Sequence, residues 1–476
     1  MLDILIDGGV VLTMDLERRI LGDGAVAIEG DRIVEVGETD VLRRKYSAPK
    51  RVINAKNKLV MPGLIDAHVH LGAALRKGVL PGNYGYGNPW IQRHFDLFRP
   101  MNEERMYLSA LSTCAEMIRG GTTTFIDCGT MGGLEDTTVK AVTESGMRAV
   151  LAMQAVDIFG PPGYALPEKL VRLFGSAEDN IRRIEGLIQK YNNSADGRIS
   201  VWGCIYQVMN TSDQLCRELK ELADKYEVGI TTHANVMKPM AEVVIKAWGK
   251  TEIMRLYDNG VMDHTLLIAH ATYLPGKDIA AIRDKKVSLA HCIFTSMGLG
   301  YGAALFANFP GMLDMGINVA LGTDSVSCCN HKDMVRVMNS TFLVHKEAKF
   351  DCNLWPPQTV VEMATLNGAK ALLLEKEIGS LEAGKKADLI LFDLNRPEWV
   401  PWHKFNLIEN LVLSATGDSI DTTIINGKVV MEGGEIKTFD VKELMGRVQK
   451  ESEAYLEGIN YLGPEKPYPE NMPPLW

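Results

Sequence analysis

Between residues 61 and 375 the sequence alternates short apolar runs with longer stretches of helical spacing. The runs are typical of strands, while stretches such as "SDQLCRELKELADKYE" place apolar residues on one helical face. Eight strand–helix units over this length predict an α/β fold, a (β/α)8 TIM barrel. A doubly wound open sheet is the alternative, but this many units would make it unusually large. The predicted strands are "GLIDAHVH", "TTTFIDCG", "RAVLAMQ", "RISVWGCIYQV", "GITTHAN", "TLLIAHAT", "VSLAHC" and "NVALGTDS".

The two ends of the chain have a different texture. They contain short strand-like segments between Gly and Asp turns, such as "GAVAIEGDRIVEVG" and "DTTIINGKVVMEGGEI". Neither end has enough strands for a core of its own, so we expect both to build one small β-sandwich. The expected divisions are the N-terminal part of the sandwich (1–60), the barrel (61–375), the C-terminal part of the sandwich (376–440), and a C-terminal helix with a proline-rich tail (441–476).

Composition and charge restrict the partners of the protein. The net charge of −9 and the isoelectric point near 5.7 argue against nucleic acid or an anionic membrane as the main partner. The first residues do not have the pattern of a signal peptide, and no apolar run reaches membrane-spanning length. The eight cysteines are scattered, unlike those of a secreted disulfide framework. We therefore expect a cytoplasmic homo-oligomer that binds a small-molecule substrate, with its tail along a surface or a subunit boundary.

Half of the histidines lie within or at the end of predicted strands. In a barrel the carboxyl ends of the strands meet on one face, where the chemistry of such enzymes takes place. The His-x-His spacing in "DAHVH" points both rings to the same side, because side chains alternate along a strand. Imidazoles and a carboxylate gathered at one face indicate a transition-metal site, most simply zinc or iron. A hydrogen-bonded core residue is the alternative for any single histidine. The residues concerned are His68, His70, His233, His270, His291 and Asp324.

Several motifs occur in an order that resembles the amidohydrolase superfamily. They are "VMPGLIDAHVH", "THAN", "IAHA", "LGTDS" and "ATLNGAKALLLEKEIGSLEAGKKADLIL". Within the superfamily the chain is most similar to the branch of cytosine, guanine and adenosylhomocysteine deaminases and of atrazine chlorohydrolase. The resemblance implies one divalent metal per chain, held by His68, His70, His233 and Asp324, with His270 orienting the water or the substrate. Binuclear members carry a carboxylated lysine that has no counterpart in these strand motifs, so a second metal is not expected.

Elementary chemistry agrees with a hydrolase. A divalent metal lowers the pKa of a coordinated water from about 16 to about 7. Asp324 can accept a proton from this water and pass it to the leaving group, and His270 can stabilise the negative charge that develops on oxygen. The predicted reaction is hydrolytic substitution at an electrophilic carbon.

Two departures from the deaminase pattern affect the substrate that we expect. Deaminases of this branch usually carry His-x-x-Glu on the fifth strand, whereas "THANVMKPMAE" places Val236 three residues after His233. Asn235 can only exchange hydrogen bonds, and we expect Glu242 to be solvated. The seventh strand also departs, with "AHCIFTSMG" where relatives often read "AHCPxSN". We therefore expect a metal-dependent hydrolase that displaces an amine, amide or halide from a triazine-, urea-, carbamate- or amide-like molecule. The alternatives are a nucleobase or nucleoside deaminase and a non-catalytic metal-bound scaffold.

The remaining substrate contacts are predicted from position. The segment "ALRKGVLPGNYGYGNPWIQRHFDLFRP" follows the first strand and is long enough to cap the site, although a surface loop packed through its own aromatic residues is equally consistent with it. A thiol at Cys328 or Cys329 could bind a metal, but an inert buried cysteine is the simpler interpretation. Tyr84 and His94 are further candidates in the loop. The predicted substrate-binding residues are Asn235, Val236, Trp90, Gln92, Tyr86 and His291.

Overall fold

A computed structural model of the protein describes residues 1–79 and 100–458. The predicted loop residues Tyr84, Tyr86, Trp90, Gln92 and His94 lie outside these ranges, as does the proline-rich tail. The strands within them are β1 (Ile4–Leu12), β2 (Ile20–Glu29), β3 (Arg32–Glu38), β4 (Arg51–Asn54), β5 (Lys58–Pro62), β6 (Leu64–His70), β7 (Thr122–Thr130), β8 (Arg148–Ala155), β9 (Ile199–Gln207), β10 (Ile230–Ala234), β11 (Leu266–His270), β12 (Ser288–His291), β13 (Val319–Leu321), β14 (Asp324–Ser325), β15 (Leu389–Asp393), β16 (Ile420–Ile425), β17 (Lys428–Glu432) and β18 (Glu435–Ile436).

Helices connect most of the strands. Their starts follow local sequence signals: Ser176 and Asp179 form a reciprocal capping box before one helix, and the Ser212 side chain accepts a hydrogen bond from the Leu215 N–H in another. The α-helices are Thr39–Lys45, Glu103–Arg119, Glu135–Ser145, Glu168–Phe174, Ala177–Tyr191, Ser194–Gly197, Asp213–Tyr226, Lys238–Trp248, Glu252–Asp258, Gly276–Asp284, Ile293–Leu299, Ala303–Phe306, Phe309–Asp314, Val326–Cys329, Met334–Lys349, Gln358–Met363, Leu366–Ala371, Leu407–Leu413 and Val441–Gly458, and short 3₁₀ helices span Leu71–Arg76, Val208–Asn210 and Gly417–Ser419.

The central sheet closes into a barrel. Strands β6 to β13 lie side by side in chain order and are parallel, and β14 pairs with β6. The eighth predicted strand is present as two halves, β13 and β14, because the ladder is interrupted at Gly322 and Thr323. The two halves pair with β12 and with β6, so the sheet returns to its first strand. The structure therefore confirms the predicted (β/α)8 architecture.

The two ends of the chain share a second sheet. Its order is β18-β17-β16-β15-β5-β1-β2-β3, and β4 pairs with β1. The junction between the ends is the antiparallel pair β5–β15, in which Val60 lies opposite Leu391. Side chains from both ends fill one core, including Ile6, Val26 and Leu391. The expected terminal domain thus forms as one shared sheet, while the exact domain boundaries stay a prediction.

The C-terminal helix Val441–Gly458 reaches the barrel beside the first strand. Its Ser452 hydroxyl donates a hydrogen bond to the Leu75 carbonyl (2.6 Å), and Glu451 pairs with Arg105 (3.2 Å). Tyr455, on the same helix, is fully buried. In the parts of the chain that the structure describes, no helix combines the length and the apolar character that crossing a bilayer requires.

Candidate metal centre and substrate cavity

The ends of the barrel strands bring four imidazoles and one carboxylate together. His68 and His70 stand two positions apart on β6, so both rings point to the same side of the strand. His233 lies near the end of β10, His270 ends β11, and Asp324 begins β14. The five side chains are largely buried, with His70 the most exposed at 21% of its side-chain surface. The strands therefore bring together five of the six residues that the sequence singles out, and His291 is not among them.

Asp324 lies at the centre of the cluster. Its Oδ1 atom is 3.6 Å from Nε2 of His68 and 3.5 Å from Nε2 of His70. Its Oδ2 atom is 3.8 Å from Nε2 of His270. The Nε2 atoms of His70 and His233 are 3.2 Å apart. Potential ligand atoms of His68, His70 and His233, and of His68, His270 and Asp324, all lie within 4.8 Å of one another.

The donor set fits a divalent transition metal. In His233, Nδ1 donates a hydrogen bond to the Tyr206 carbonyl (2.5 Å), which leaves the lone pair of Nε2 directed into the cluster. Among the described residues, neither ring nitrogen of His68 has a hydrogen-bond partner although both are buried. A buried polar atom without a partner is costly, and a metal bond to Nε2 would satisfy it. The chemistry of the site therefore agrees with the predicted ligands.

Burial and neighbouring charge set the ionisation of the cluster. Burial opposes charge on Asp324, but the neighbouring imidazoles, first among them His68 with its Nε2 3.6 Å from Oδ1, outweigh burial and hold the pKa of the carboxyl well below its usual range. Burial, with the charge of His68, lowers the pKa of His70 to about 3. At neutral pH the site thus presents a carboxylate beside a neutral imidazole, the forms that bind metal ions.

The strand ends that carry the cluster are held in uncommon backbone conformations. Asn235, His270 and Asp324 have φ of 48°, 71° and 68°, in the left-handed region that L residues other than Asn and Asp rarely adopt. Glu252 holds the first of these turns, because its Oε2 atom accepts the Asn235 N–H (2.7 Å) and its Oε1 atom accepts the Met209 N–H (3.2 Å). Such strain is typical of functional sites, where surrounding contacts maintain it.

A second buried network holds Asp324. The Thr323 N–H and hydroxyl both donate to Asp66, at 2.9 and 2.5 Å. The buried Lys332 ammonium donates to the Thr323 hydroxyl (3.0 Å) and to the Asp324 carbonyl. Because Asp66 lies on β6, the first barrel strand, and Thr323 directly precedes β14, the last, this network fixes the Asp324 carboxylate relative to His68 and His70.

A cavity of about 620 Å³ opens above the cluster, within the usual size of small-molecule sites. Its walls are largely apolar and come mainly from the segments after β6, β7, β8, β10 and β12. The apolar lining includes Leu134, Val156, Leu166, Phe174, Val236 and Met240, and the polar lining includes Arg76, Asp127, Gln154, Tyr206, Gln207 and Tyr301. The cavity can therefore hold a molecule with a substantial apolar part.

Of the predicted substrate-binding residues that the structure describes, only some line the cavity. Val236 lines the cavity, beside the histidine cluster. The Asn235 amide instead donates to the Tyr273 carbonyl (2.8 Å), and His291 pairs with His345 (Nε2–Nε2 3.0 Å); neither is among the described residues that line the cavity. Their predicted role as substrate contacts is not supported by this placement and stays a prediction, as it does for the loop residues outside the described ranges.

The other acids and thiols have simple surroundings. Glu242 is 58% exposed and lies 3.9 Å from Lys238, which agrees with the solvated role expected of it. Cys328 lines the cavity, and burial raises the pKa of its thiol well above the usual value, so the thiol stays protonated. Cys329 donates a hydrogen bond to the His331 carbonyl (3.0 Å). Both cysteines thus resemble inert thiols.

The sequence interpretation missed several polar residues of the cavity. Asp127 lies near the end of the predicted strand "TTTFIDCG", and position near a strand end is the signal that found the histidines. Arg76 and Tyr301 come from segments after β6 and β12, where no pattern indicates which side chains turn inward. Loop residues of this kind can be identified as part of the cavity only when the fold is known.

Comparison with known proteins identifies the family. Residues 59–430 match the Amidohydrolase family, and residues 24–46 match the Imidazolonepropionase-like composite domain of bacteria. A 5-methylthioadenosine/S-adenosylhomocysteine deaminase of Thermoanaerobacter pseudethanolicus is 34% identical over 463 residues, covering 96% of this chain and 100% of that protein. A 5'-deoxyadenosine deaminase of Methanosarcina mazei is 32% identical over 468 residues, covering 97% and 100%.

A solved structure gives the same result at the level of the fold. The crystal structure of an adenosine deaminase from Xanthomonas campestris with bound zinc is similar with a TM-score of 0.86 and 25% identity, covering 97% of this chain and 99% of that one. Together with the sequence matches along nearly the whole chain, this likeness supports the family that the sequence motifs indicate. The chain belongs to the amidohydrolase family, which is metal-dependent, and is an enzyme that hydrolyses C–N bonds.

Proposed function

We propose that the enzyme is a hydrolytic deaminase that removes the exocyclic amine from an adenine-like heteroaromatic ring carrying an apolar substituent. The observation that carries this proposal is the likeness, over 96% of the chain, to a protein named as a deaminase of methylthioadenosine and adenosylhomocysteine. The sequence favoured a triazine-, urea-, carbamate- or amide-like substrate, with a heterocyclic deaminase as the alternative. The relatives favour that alternative.

The cavity supports the same substrate class. A purine with a substituted sugar needs a metal centre at one end and room for an apolar group at the other. The cavity of about 620 Å³ has the histidine cluster at its base and Leu166, Phe174 and Met240 in its walls. This lining suits a deoxy or thioether substituent better than a charged one, because desolvating a charge against apolar walls is costly.

The residues of the cluster have distinct roles in this reaction. A divalent metal bound by His68, His70, His233 and Asp324 would supply a water with a pKa of about 7. Asp324, ionised at neutral pH, accepts a proton from the attacking water and returns it to the leaving amine. Burial lowers the pKa of His270 well below its usual value, so its ring is neutral and can hydrogen-bond to the developing oxyanion.

Several finer features belong to the same proposal. One divalent metal per chain, zinc or else iron, follows from the mixed imidazole and carboxylate donor set. The physiological partner is a small molecule. A homo-oligomeric state and a cytoplasmic location are kept as proposals from the sequence.

An assay that measures released ammonia, amine and chloride tests the substrate class. The metal-loaded enzyme is incubated with 5'-deoxyadenosine, methylthioadenosine, adenosylhomocysteine, cytosine and guanine, and in parallel with a chlorotriazine, a phenylurea and a carbamate. We expect turnover of the adenine nucleosides, with preference for the apolar substituents. Turnover of only the second set would reject the deaminase in favour of the first substrate class that the sequence suggested. Absence of turnover in all of them would reject the proposed substrates altogether.

A further inference from the structure

The cavity has no carboxyl group at the position where a deaminase of this branch places its proton donor. Val236 occupies that position and is 4% exposed. Glu242 lies on the surface, with 58% of its side chain exposed. Glu252 is buried, but its two oxygens already bind the N–H groups of Asn235 and Met209, and it is not among the described lining residues. Deamination of a heteroaromatic ring nevertheless requires a hydrogen-bond donor at the ring nitrogen beside the reacting carbon.

Tyr301 brings a hydroxyl group to the same part of the cavity. It comes from the loop after β12, lines the cavity and is only 3% exposed. Its side chain belongs to the buried cluster that contains Val236 and Met240. Its ring stands edge-on to the His270 ring, with centroids 5.6 Å apart and an interplanar angle of 83°. Tyr301 thus shares a cluster with Val236 and contacts a histidine of the metal cluster.

The loop is built to hold Tyr301 in this place. The Tyr301 N–H donates to the Ser296 carbonyl (2.9 Å), and the Ser296 hydroxyl accepts the Ala303 N–H (2.9 Å). The glycines on either side, Gly300 and Gly302, have φ of 69° and 77°, a conformation that other residues rarely adopt. This "GLGYGA" loop follows the strand whose sequence departs from the family pattern. Val236, at the fifth-strand departure, and Tyr301, which follows the seventh-strand departure, both line the cavity.

The other polar side chains of the cavity fit this role less well. Asp127 accepts the Thr130 hydroxyl (2.6 Å) and the Leu71 N–H (3.0 Å), and its strand β7 is separated from β10 by two strands. Tyr206 packs against His233, with ring centroids 5.3 Å apart, and against a different apolar cluster from that of Val236. Tyr301 alone combines membership of that cluster with contact to His270 among the described lining residues.

We propose that the Tyr301 hydroxyl hydrogen-bonds to the ring nitrogen next to the reacting carbon and relays the proton that this nitrogen gains. The inference rests on the proposed deaminase function. In the net reaction, water adds its oxygen to the ring carbon, one water proton ends on the ring nitrogen, and the other leaves with the amine as ammonia.

The proton balance needs no other reactant. As the C–O bond forms, the electron pair of the ring C=N bond moves to nitrogen and takes the Tyr301 proton. As the C–N bond to the amine breaks, the new hydroxyl becomes a carbonyl and its proton returns to Tyr301. The second proton travels through Asp324 to the leaving amine. Since the ring nitrogen and the new oxygen are bonded to the same carbon, one hydroxyl can reach both.

The decisive experiment compares Tyr301→Phe with Tyr164→Phe. Tyr164 is a matched control, because it is buried in the same cluster but is not among the described residues that line the cavity. Two probes without a leaving group, 6-methylpurine 5'-deoxyriboside and its 1-deaza analogue, are titrated by calorimetry into the metal-loaded enzymes. Ammonia release from 5'-deoxyadenosine is measured in parallel.

We expect the wild type and Tyr164→Phe to bind the purine about tenfold more tightly than the 1-deaza analogue, as one hydrogen bond implies, and Tyr301→Phe to bind both alike. Its kcat/KM should fall by about 10² or more, whereas Tyr164→Phe should stay within about threefold of the wild type. A preference that survives in Tyr301→Phe, or that the wild type lacks, would overturn the role of Tyr301 while leaving deamination intact. A wild type that binds neither probe and releases no ammonia would instead overturn the proposed function, and this inference with it.

Discussion

At the scale of single residues, the metal ligands can be tested separately. We expect about one divalent metal per chain, and replacement of His70 or His233 by Ala should remove most of it, because each change deletes one of four bonds to the metal. His264 is exposed and precedes β11, whereas His270 ends that strand, so His264 provides the matched control His264→Ala, which should keep its metal. Elemental analysis of the purified proteins measures this. Two metals per chain, or full metal content in both ligand variants, would contradict a single site with these ligands.

Asp324 can be tested by a change that keeps its shape. Its φ of 68° is a conformation that asparagine adopts more readily than most residues, so Asp324→Asn should leave the backbone undisturbed. The amide cannot accept a proton, and turnover should therefore fall by about 10² to 10⁴. Initial rates, together with the thermal unfolding midpoint, separate catalysis from folding. Near-normal turnover in a folded variant would show that another group acts as the base.

The residues that the sequence predicts well are those on strands. Alternation of side chains places His68 and His70 on one face, and the common end of the barrel strands brings them to His233 and Asp324. His291 shows the limit of this rule, since it also ends a strand but turns towards His345. The strand β12 is short. The direction of the His291 side chain depends on the helix packed against this strand, and the local sequence pattern gives no information about that helix.

At the scale of elements, the turn after β10 depends on Glu252. Burial raises the pKa of this carboxyl from 4.5 to about 7. Between pH 4.5 and about pH 7, Glu252 is protonated in the folded protein but ionised in the unfolded chain. The free energy of unfolding should therefore decrease as the pH rises through this window. The contribution of this group is up to about 3 kcal/mol. Glu252→Gln cannot ionise and should lose this part of the pH dependence. Urea unfolding at pH 5 and pH 7.5, at matched metal content, measures it.

The control for this prediction is Glu221→Gln, because Glu221 is exposed on the helix Asp213–Tyr226. It should show the same pH dependence as the wild type, since charges exposed to water contribute little. If Glu252→Gln also showed the wild-type dependence, Glu252 would be ionised in the fold at pH 5, and the turn would be held by a carboxylate.

The elements themselves were predictable where periodicity is strong. All of the predicted barrel strands are present, and the helix Asp213–Tyr226 lies within the predicted stretch "SDQLCRELKELADKYE". The break between β13 and β14 was not predictable. A Cβ atom at Gly322 would lie 2.8 Å from the Cβ of His68, so the chain passes too close to the first strand to continue the regular ladder. Such a contact between the two ends of the barrel exists only after the sheet has closed.

At the scale of the whole molecule, the shared terminal sheet was predictable because each end has too few strands for a core. The contacts that join this sheet to the barrel were not predictable. Arg148, at the start of β8, donates to Asp388 through Nε (2.6 Å) and Nη2 (3.1 Å), just before β15. The two side chains are 5% and 1% exposed. Neither residue belongs to a motif that indicates a partner more than two hundred positions away in the sequence.

This buried pair should be essential to the coupling between barrel and sheet. Asp388→Ala leaves the Arg148 guanidinium buried without its counter-charge, and we expect a loss of about 3 to 5 kcal/mol in the free energy of unfolding. The exposed pair Lys250–Asp258 (2.6 Å) gives the control Asp258→Ala, which should cost less than about 1 kcal/mol. The double variant Arg148→Met/Asp388→Leu should recover only part of the loss, because Asp388 also accepts the buried Asn426 N–H (2.7 Å). Urea unfolding of the three variants measures these differences. If Asp388→Ala cost no more than the surface control, the apolar contacts between barrel and sheet would hold them together without the ion pair.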